Sequence, residues 1–268
     1  MSDKTNQKRT VLITGATKGI GLAIALRFAR EGDQCVITYG WGSVEDETVL
    51  NLFRAENLPM PMLMQADVIN PDDTEALIRE VYEKYGPIGV FVSNVSFSNL
   101  ITGVQDYSEK GLLKSIEYSS WPMVEYTRKI AEITGQYPRY IIGLSSHGPD
   151  TFYRNYDFAA VTKSVLEVLV RYLNYHFFDQ DVIFNIVRTR PVLTDSLLST
   201  IGREWKSFIE RFDIPGTDVS LDEVARVVYM LTSGYMDGIR GQTINADKGY
   251  EFADGLQYVY TQSDRLQL

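Results

Sequence analysis

Residues 10–32, TVLITGATKGIGLAIALRFAREG, constrain the fold more than any other stretch of the chain. An apolar run ends at Thr14, glycines follow at 15, 19 and 21, and an apolar pattern of helical period runs on to Gly32. Glycines between a strand and a helix let the backbone turn tightly and come close to a pyrophosphate. The free N–H groups and positive dipole end of the helix then face the anion. Gly-x-x-x-Gly-x-Gly alone is a weak signal, but a strand before it and a helix after it are the context a dinucleotide site needs.

The rest of the chain repeats that rhythm. Short β-branched runs stand at 10–14, 34–39, 61–66, 88–93, 139–145, 182–188 and 241–246. Between them lie helical patterns at 19–31, 44–57, 71–85, 105–133, 156–179 and 220–232. Apolar, non-alternating strands separated by helices predict an α/β fold, a Rossmann-like doubly wound parallel sheet of seven strands with helices on both faces. With 268 residues, 44% of them hydrophobic, one domain over 1–268 is expected. Residues 191–219 break the rhythm. They carry Leu193, Leu197, Leu198, Ile201, Trp205, Phe208 and Phe212 and read as a small helical flap leaving the carboxyl end of the sixth strand, where ligands bind in such sheets.

Composition narrows the function. A net charge of −9 argues against nucleic acid or an anionic membrane as partner. The single cysteine, Cys35, cannot build a disulfide framework and suits a reducing compartment. The polar start MSDKTNQKRT has no apolar core of a signal peptide, and no apolar run approaches ~18 residues, so a cytoplasmic protein is expected. No Cys/His/carboxylate cluster has metal-ligand spacing, and His147 and His176 stand in no nucleophile–base–acid order, so neither a metal site nor a hydrolase triad is expected.

The glycine loop at the very start, with Gly15, Thr17, Lys18, Gly19, Ile20 and Gly21, resembles the short-chain dehydrogenase/reductase family, and the resemblance covers almost the whole chain. QADV at 65–68 resembles the family's Asp-Val beside the adenine, which implies cofactor roles for Asp67 and Val68. SNVS at 93–96 stands at the family's Asn-Asn-Ala-Gly and keeps only Asn94. LSS at 144–146 resembles the serine-bearing fifth strand, with Ser146 as its polar candidate. RPVLTD at 190–195 resembles Pro-Gly-x-x-x-Thr, with Arg190 where glycine is usual and Thr194 in the cofactor-binding place. GIRGQTINADKGYEF resembles the closing glycine-rich segment, with Lys248 in place of a glycine.

Ordinary members use Tyr-x-x-x-Lys, one helical turn apart, so that the ammonium lowers the tyrosine's pKa. Here the residue four before Lys163 is Ala159, and Tyr156 lies seven before it. On a helix that spacing is nearly two turns, ~10.5 Å along the axis. In ketone reduction the protonated oxygen is one bond, ~1.2 Å, from the carbon receiving hydride; in an enoyl thioester it is roughly 3 Å or more away. A displaced donor suits the second reaction. NYDFAAVTKSVLEVLVRYL and SIEYSSWPMVEYTRKI, the latter with Glu117, Ser119, Ser120 and Trp121, resemble the enoyl-acyl-carrier-protein reductases, a branch with Tyr-x6-Lys. The resemblance implies Tyr156 as donor, Lys163 on the nicotinamide ribose, an acyl substrate on coenzyme A or a carrier protein, and a homodimer or homotetramer. Many of that branch carry a further tyrosine upstream; here Ser146, Phe152 and Tyr153 are the candidates.

TYGWG at the end of the second strand has no acid to hold a ribose 2′-hydroxyl, and Lys18 could attract a 2′-phosphate, so NADP(H) is expected over NAD(H). Two alternatives stay open: a ketone or 3-oxoacyl reductase with Ser146 and Tyr153 or Tyr156 as donors, and a non-catalytic cofactor-binding or assembly protein.

Overall fold

The β-branched runs form seven strands, β1 (Thr10–Ile13), β2 (Gln34–Tyr39), β3 (Met62–Gln65), β4 (Ile88–Ser93), β5 (Tyr140–Ser146), β6 (Ile183–Thr189) and β7 (Thr243–Ala246). They make one sheet in the order 3-2-1-4-5-6-7, and every neighbouring pair is parallel. This is the doubly wound Rossmann-like architecture read from the sequence. The computed structural model describes residues 8–40, 44–212 and 218–266, and the side chains among them except those of 196, 210–212, 265 and 266. Trp41 and Gly42 of the TYGWG stretch, residues 213–217 and the Phe212 side chain therefore lie outside the described residues.

Parallel strands need crossovers, and helices supply them. In chain order they are α1 (Gly19–Arg30), α2 (Asp46–Ala55), α3 (Pro71–Tyr85), α4 (Glu109–Ser119), α5 (Trp121–Thr134), α6 (Asp157–His176), α7 (Asp195–Ile201), α8 (Trp205–Phe212), α9 (Leu221–Leu231), α10 (Gly255–Thr261) and α11 (Ser263–Leu266). Alternate strand residues face opposite sides. Val11 and Ile13 join Ile24 and Phe28 of α1 and Val224 and Val228 of α9 in one core layer. Leu12 joins Leu77 of α3, Tyr126 of α5 and Leu166 of α6 in the other. Both faces of β1, β2, β4, β5 and β6 are largely buried, which is why their sequences do not alternate, while the edge strands β3 and β7 are only partly covered.

Local chemistry sets the helix ends. Asn70 caps α3 by accepting from Asp72 N at 3.0 Å, with Pro71 as the first helical residue. Ser220 and Glu223 form a capping box on α9. The pattern at 105–133 is two helices, not one. Ser108 starts α4, and the break falls at Ser120, because Pro122 has no N–H to continue the ladder. The segment 191–219 holds α7 and α8, with Trp205 and Phe208 stacked at 5.6 Å between ring centres. Lys248, where the resemblance has glycine, adopts a left-handed φ of 55°. Its Nζ lies 3.0 Å from Glu223 Oε1 and also donates to the Asp218 carbonyl, so two anchors hold a backbone shape that glycine would take freely.

Candidate active site

The strand order reverses between β1 and β4, and the crevice outside the carboxyl ends of those strands is where such a sheet receives a ligand. Gly15, Thr17, Lys18, Gly19, Ile20 and Gly21 lie there, between β1 and the first turn of α1. Gly15 and Gly19 have φ of 63° and 58°, which a side chain would strain. Lys18 is the N-cap of α1 and makes no side-chain cap, so the N–H groups of the first turn are not capped by it. Asn94, at the end of β4, supports the loop from behind. Its Nδ2 donates to the carbonyls of Thr14 and Gly15, both at 3.0 Å, and its own N–H donates to Thr14 Oγ1 at 3.1 Å. Thr194 caps α7 by accepting from Leu197 N, and its methyl faces Gly19.

This cradle fits a dinucleotide pyrophosphate. A Cβ on Gly21 would come within 2.7 Å of Asn94 Nδ2, 2.8 Å of Ala16 Cα and 2.9 Å of the Gly15 carbonyl, so the backbone approaches as closely as a glycine permits. Gly21→Ala is expected to push the loop open and weaken NAD(P)H binding at least ~100-fold, and Asn94→Ala to lower stability by ~1–2 kcal/mol through its two lost bonds. Cofactor fluorescence titration and thermal melts check both.

Asp67 and Val68 follow β3. The Asp67 carboxylate accepts from Ile69 N at 3.2 Å and from the Tyr118 hydroxyl at 3.2 Å, while Val68 is buried. At the end of β2, Tyr39 donates to Asp46 at 3.2 Å, so a carboxylate from α2 reaches a place where the local sequence showed none.

Tyr156 is the N-cap of α6, with φ −106° and ψ 8°, rather than a residue within the helix. Its carbonyl accepts the first bond of the helix, from Ala160 N at 2.8 Å, and its phenol reaches the end of β5. Its hydroxyl donates to Ser146 Oγ at 3.1 Å, and Gly148 N donates to the same oxygen at 3.3 Å. Gly148 makes room for the ring, since a Cβ there would lie 2.7 Å from Tyr156 Cε1. Burial raises the Tyr156 pKa above that of a free phenol, and the Ser146 hydrogen bond pulls against it. The phenol is thus a protonated donor at neutral pH.

Tyr153 packs edge-on against Tyr156 at 5.8 Å and is pushed up to about 12, mainly by burial. Phe152 is 86% exposed and takes no part. Ser119 and Ser120 are structural in this arrangement. Ser119 Oγ bonds both backbone groups of Phe97, and Ser120 Oγ donates to the Thr162 carbonyl. Ala159, in the ordinary tyrosine place, is buried.

Lys163 is 5% exposed, and its Nζ donates to the Leu144 carbonyl on β5 at 2.9 Å. Burial pushes it down to about 8, opposed by the Glu167 carboxylate one turn along α6. That carboxylate accepts from Ser145 Oγ at 2.5 Å and from Arg188 Nε and NH2 at 3.1 and 2.6 Å. Arg188 also pairs with Asp150, and its NH1 is 3.7 Å from Glu251. Arg190 stacks on Tyr250, 3.9 Å from the ring centre. Sequence reading missed Arg188, which looks like one more residue of a strand. Nor did local spacing reveal that His147, Asp247 and Glu251 bring their ligand atoms within 4.8 Å of one another. The guanidinium of Arg188 stands 3.7 Å from Glu251 of that group.

A parallel 3-2-1-4-5-6-7 sheet with a glycine loop at the switch point defines a dinucleotide-binding protein of the Rossmann class. The model of the enoyl-(acyl carrier protein) reductase family matches residues 15–251, and the chain belongs to that family. It is an oxidoreductase of the short-chain dehydrogenase/reductase type with a nicotinamide cofactor. It is 25% identical over 251 residues to enoyl-[acyl-carrier-protein] reductase [NADH] FabI of Aquifex aeolicus, covering 90% of this chain and 91% of that one. It is 28% identical over 251 residues to 1-cyclohexenylcarbonyl-CoA reductase of Streptomyces collinus, covering 91% and 87%. The fold is shared with the crystal structure of Bacillus cereus enoyl-acyl carrier protein reductase with NADP+ and indole naphthyridinone. There the TM-score is 0.79 at 21% identity, covering 93% and 99% of the two chains. No helix among the described residues is long and apolar enough to cross a membrane.

Proposed function

We propose that this protein reduces the carbon–carbon double bond of an α,β-unsaturated acyl thioester. The observation that carries the reading is the Tyr156 phenol held on Ser146, with buried Ala159 where a carbonyl reductase of this type has its tyrosine. When bound, the nicotinamide supplies the hydride that the β-carbon accepts. Tyr156 donates a hydrogen bond to the thioester oxygen, where the electron pair displaced from the double bond collects as an enolate. To serve that oxygen the Tyr156 O–H turns from Ser146 Oγ to the substrate, and Ser146, still accepting from Gly148 N, turns its own proton to the phenol oxygen, reversing the bond between them. A proton then adds at the α-carbon, and the product is the saturated thioester. Lys163 holds the ribose hydroxyls of the cofactor, and Asn94 and the glycines shape the pyrophosphate cradle.

The segment with α7 and α8 covers the acyl chain. Asn155 Nδ2 donates to the Thr200 carbonyl at 3.2 Å and Arg154 lies 3.6 Å from Glu204, so the flap is tied to the residues that place Tyr156. The acyl group arrives on coenzyme A or a carrier protein, the carriers in the names of the two relatives. NADPH is the preferred donor. Lys18 at the mouth of the loop attracts a 2′-phosphate, and the acid nearest the end of β2, Asp46, is engaged by Tyr39.

The test follows NADPH and NADH absorbance with trans-2-enoyl and 3-oxoacyl thioesters of several chain lengths on both carriers. Faster turnover of the enoyl series, with NADPH preferred, is expected. Turnover of the 3-oxoacyl series alone would establish the carbonyl reductase reading instead.

A further inference from the structure

Lys163 and Glu167 are one helical turn apart on α6, both buried, and opposite in charge. Residues at that spacing ordinarily pair. Here they do not: the Lys163 ammonium donates to Leu144, and the Glu167 carboxylate is taken at both oxygens by others. Arg188 reaches across from β6 and grips it in two places, and Ser145 on β5 adds a short third bond. Arg188 is itself fixed from its far side by Asp150, after β5, and by Glu251, after β7.

We infer that Arg188 is a positioning residue for Lys163: its two-point grip on Glu167 holds that acid off the ammonium and leaves Lys163 directed at Leu144 and the cofactor. The inference rests on the reading of Lys163 as the cofactor-binding lysine. Planarity makes arginine the residue for this task. Its guanidinium matches both carboxylate oxygens, whereas a lysine on β6 would meet one. Among the described residues, Glu167 is the charge that acts on Lys163. On the packed elements, Leu144 of β5 takes the ammonium, Ser145 of β5 and Arg188 of β6 take Glu167, and Ser146 of β5 takes the Tyr156 phenol ahead of α6; among the described residues Lys163 makes no ion pair. Arg188 is therefore the group that decides whether Glu167 turns toward Lys163.

The arrangement has an unusual genetic signature. Arg188→Met frees Glu167, which swings one turn back to pair with Lys163 and draws it off the ribose. NADPH binding is expected to weaken roughly tenfold, and the basic limb of its pH profile to move upward, because a paired ammonium keeps its proton longer. Glu167→Gln combined with Arg188→Met removes both charges together. The competing carboxylate is then gone, and affinity is expected to return to within about threefold of the parent. A role in packing alone would make the double variant no better than Arg188→Met. NADPH fluorescence titrations from pH 6 to 10 read the outcome, with circular dichroism confirming that each variant is folded; because the double variant leaves no Glu167 carboxylate buried without Arg188, it keeps the test valid if Arg188→Met fails to fold. Recovery in the double variant supports the inference. Unchanged affinity in Arg188→Met, or a folded double variant as weak as the single one, overturns it. Lys163→Met run alongside separates the two levels of the reading: if it binds NADPH normally, the assignment of Lys163 itself fails.

Discussion

Replacing Tyr156 by phenylalanine is expected to lower kcat for enoyl-thioester reduction by ~10²–10³-fold while leaving NAD(P)H affinity within about twofold. The substitution removes one oxygen. Phenylalanine keeps the ring that fits over Gly148 and meets Tyr153 edge-on, so fold and cradle stay as they are. What is lost is the donor that stabilises the enolate as it forms, in a pocket dry enough to raise the phenol's own pKa. Removing one such donor costs other enzymes about 3 kcal/mol. Ser146→Ala is expected to cost less, ~10-fold, because it supports the phenol oxygen and does not replace it. Stopped-flow measurement of the chemical step, beside equilibrium cofactor titration, separates catalysis from binding. An equal loss of affinity and rate in Tyr156→Phe would make the residue a structural one.

Lys163→Met has the second large effect, and it acts in opposite directions on binding and on stability. Cofactor affinity is expected to fall at least ~100-fold, since the ammonium donates to the ribose hydroxyls in this reading. Stability is expected to rise. A lysine keeps its proton to about pH 10.4 in the unfolded chain, and burial pushes Lys163 down to about 8 in the fold. Between those values the unfolded state binds more protons, so wild-type stability climbs as pH rises through that window. Below pH 8 the buried charge opposes folding in full, by about 3 kcal/mol. Methionine removes that opposition and also the hydrogen bond to Leu144, worth about 1 kcal/mol, leaving a net gain near 2. At pH 7 that is a Tm rise of about 5 °C, shrinking toward pH 10 as the wild-type lysine loses its proton. A Tm difference that does not change with pH would show that Lys163 is not held at a depressed pKa.

What the sequence made legible is what is local. The glycine loop is written in consecutive residues, and the apolar runs carry strand and helix in their own periods. The break at Ser120 was within reach, since Pro122 stands in view in the middle of the 105–133 pattern. The spacing of Tyr156 and Lys163 singled out the two residues but not the partners each takes from β5. Counting turns says nothing of what lies beside the helix: Tyr156 caps α6 and its phenol reaches sideways to β5. The Glu167–Arg188 pair could not be read at all. Its members are 21 residues apart on different elements, and an arginine ending VIFNIVR looks like any solvated strand end until β6 is placed beside α6. The meeting of Asp46 with Tyr39 is of the same kind: the acid comes from α2, and only the fold brings it to β2.

The central claim is that hydride reaches a carbon remote from the oxygen that Tyr156 serves. NADPH carrying deuterium on the transferred face, incubated with a trans-2-enoyl thioester in ordinary water, tests it directly, with the product read by mass spectrometry and NMR. One deuterium at the β-carbon and a solvent hydrogen at the α-carbon is the expected outcome, slowed in Tyr156→Phe by the factor given above. Recovery of the enoyl thioester unchanged, with deuterium placed instead on the carbinol carbon of a 3-oxoacyl substrate in the same enzyme, would contradict it.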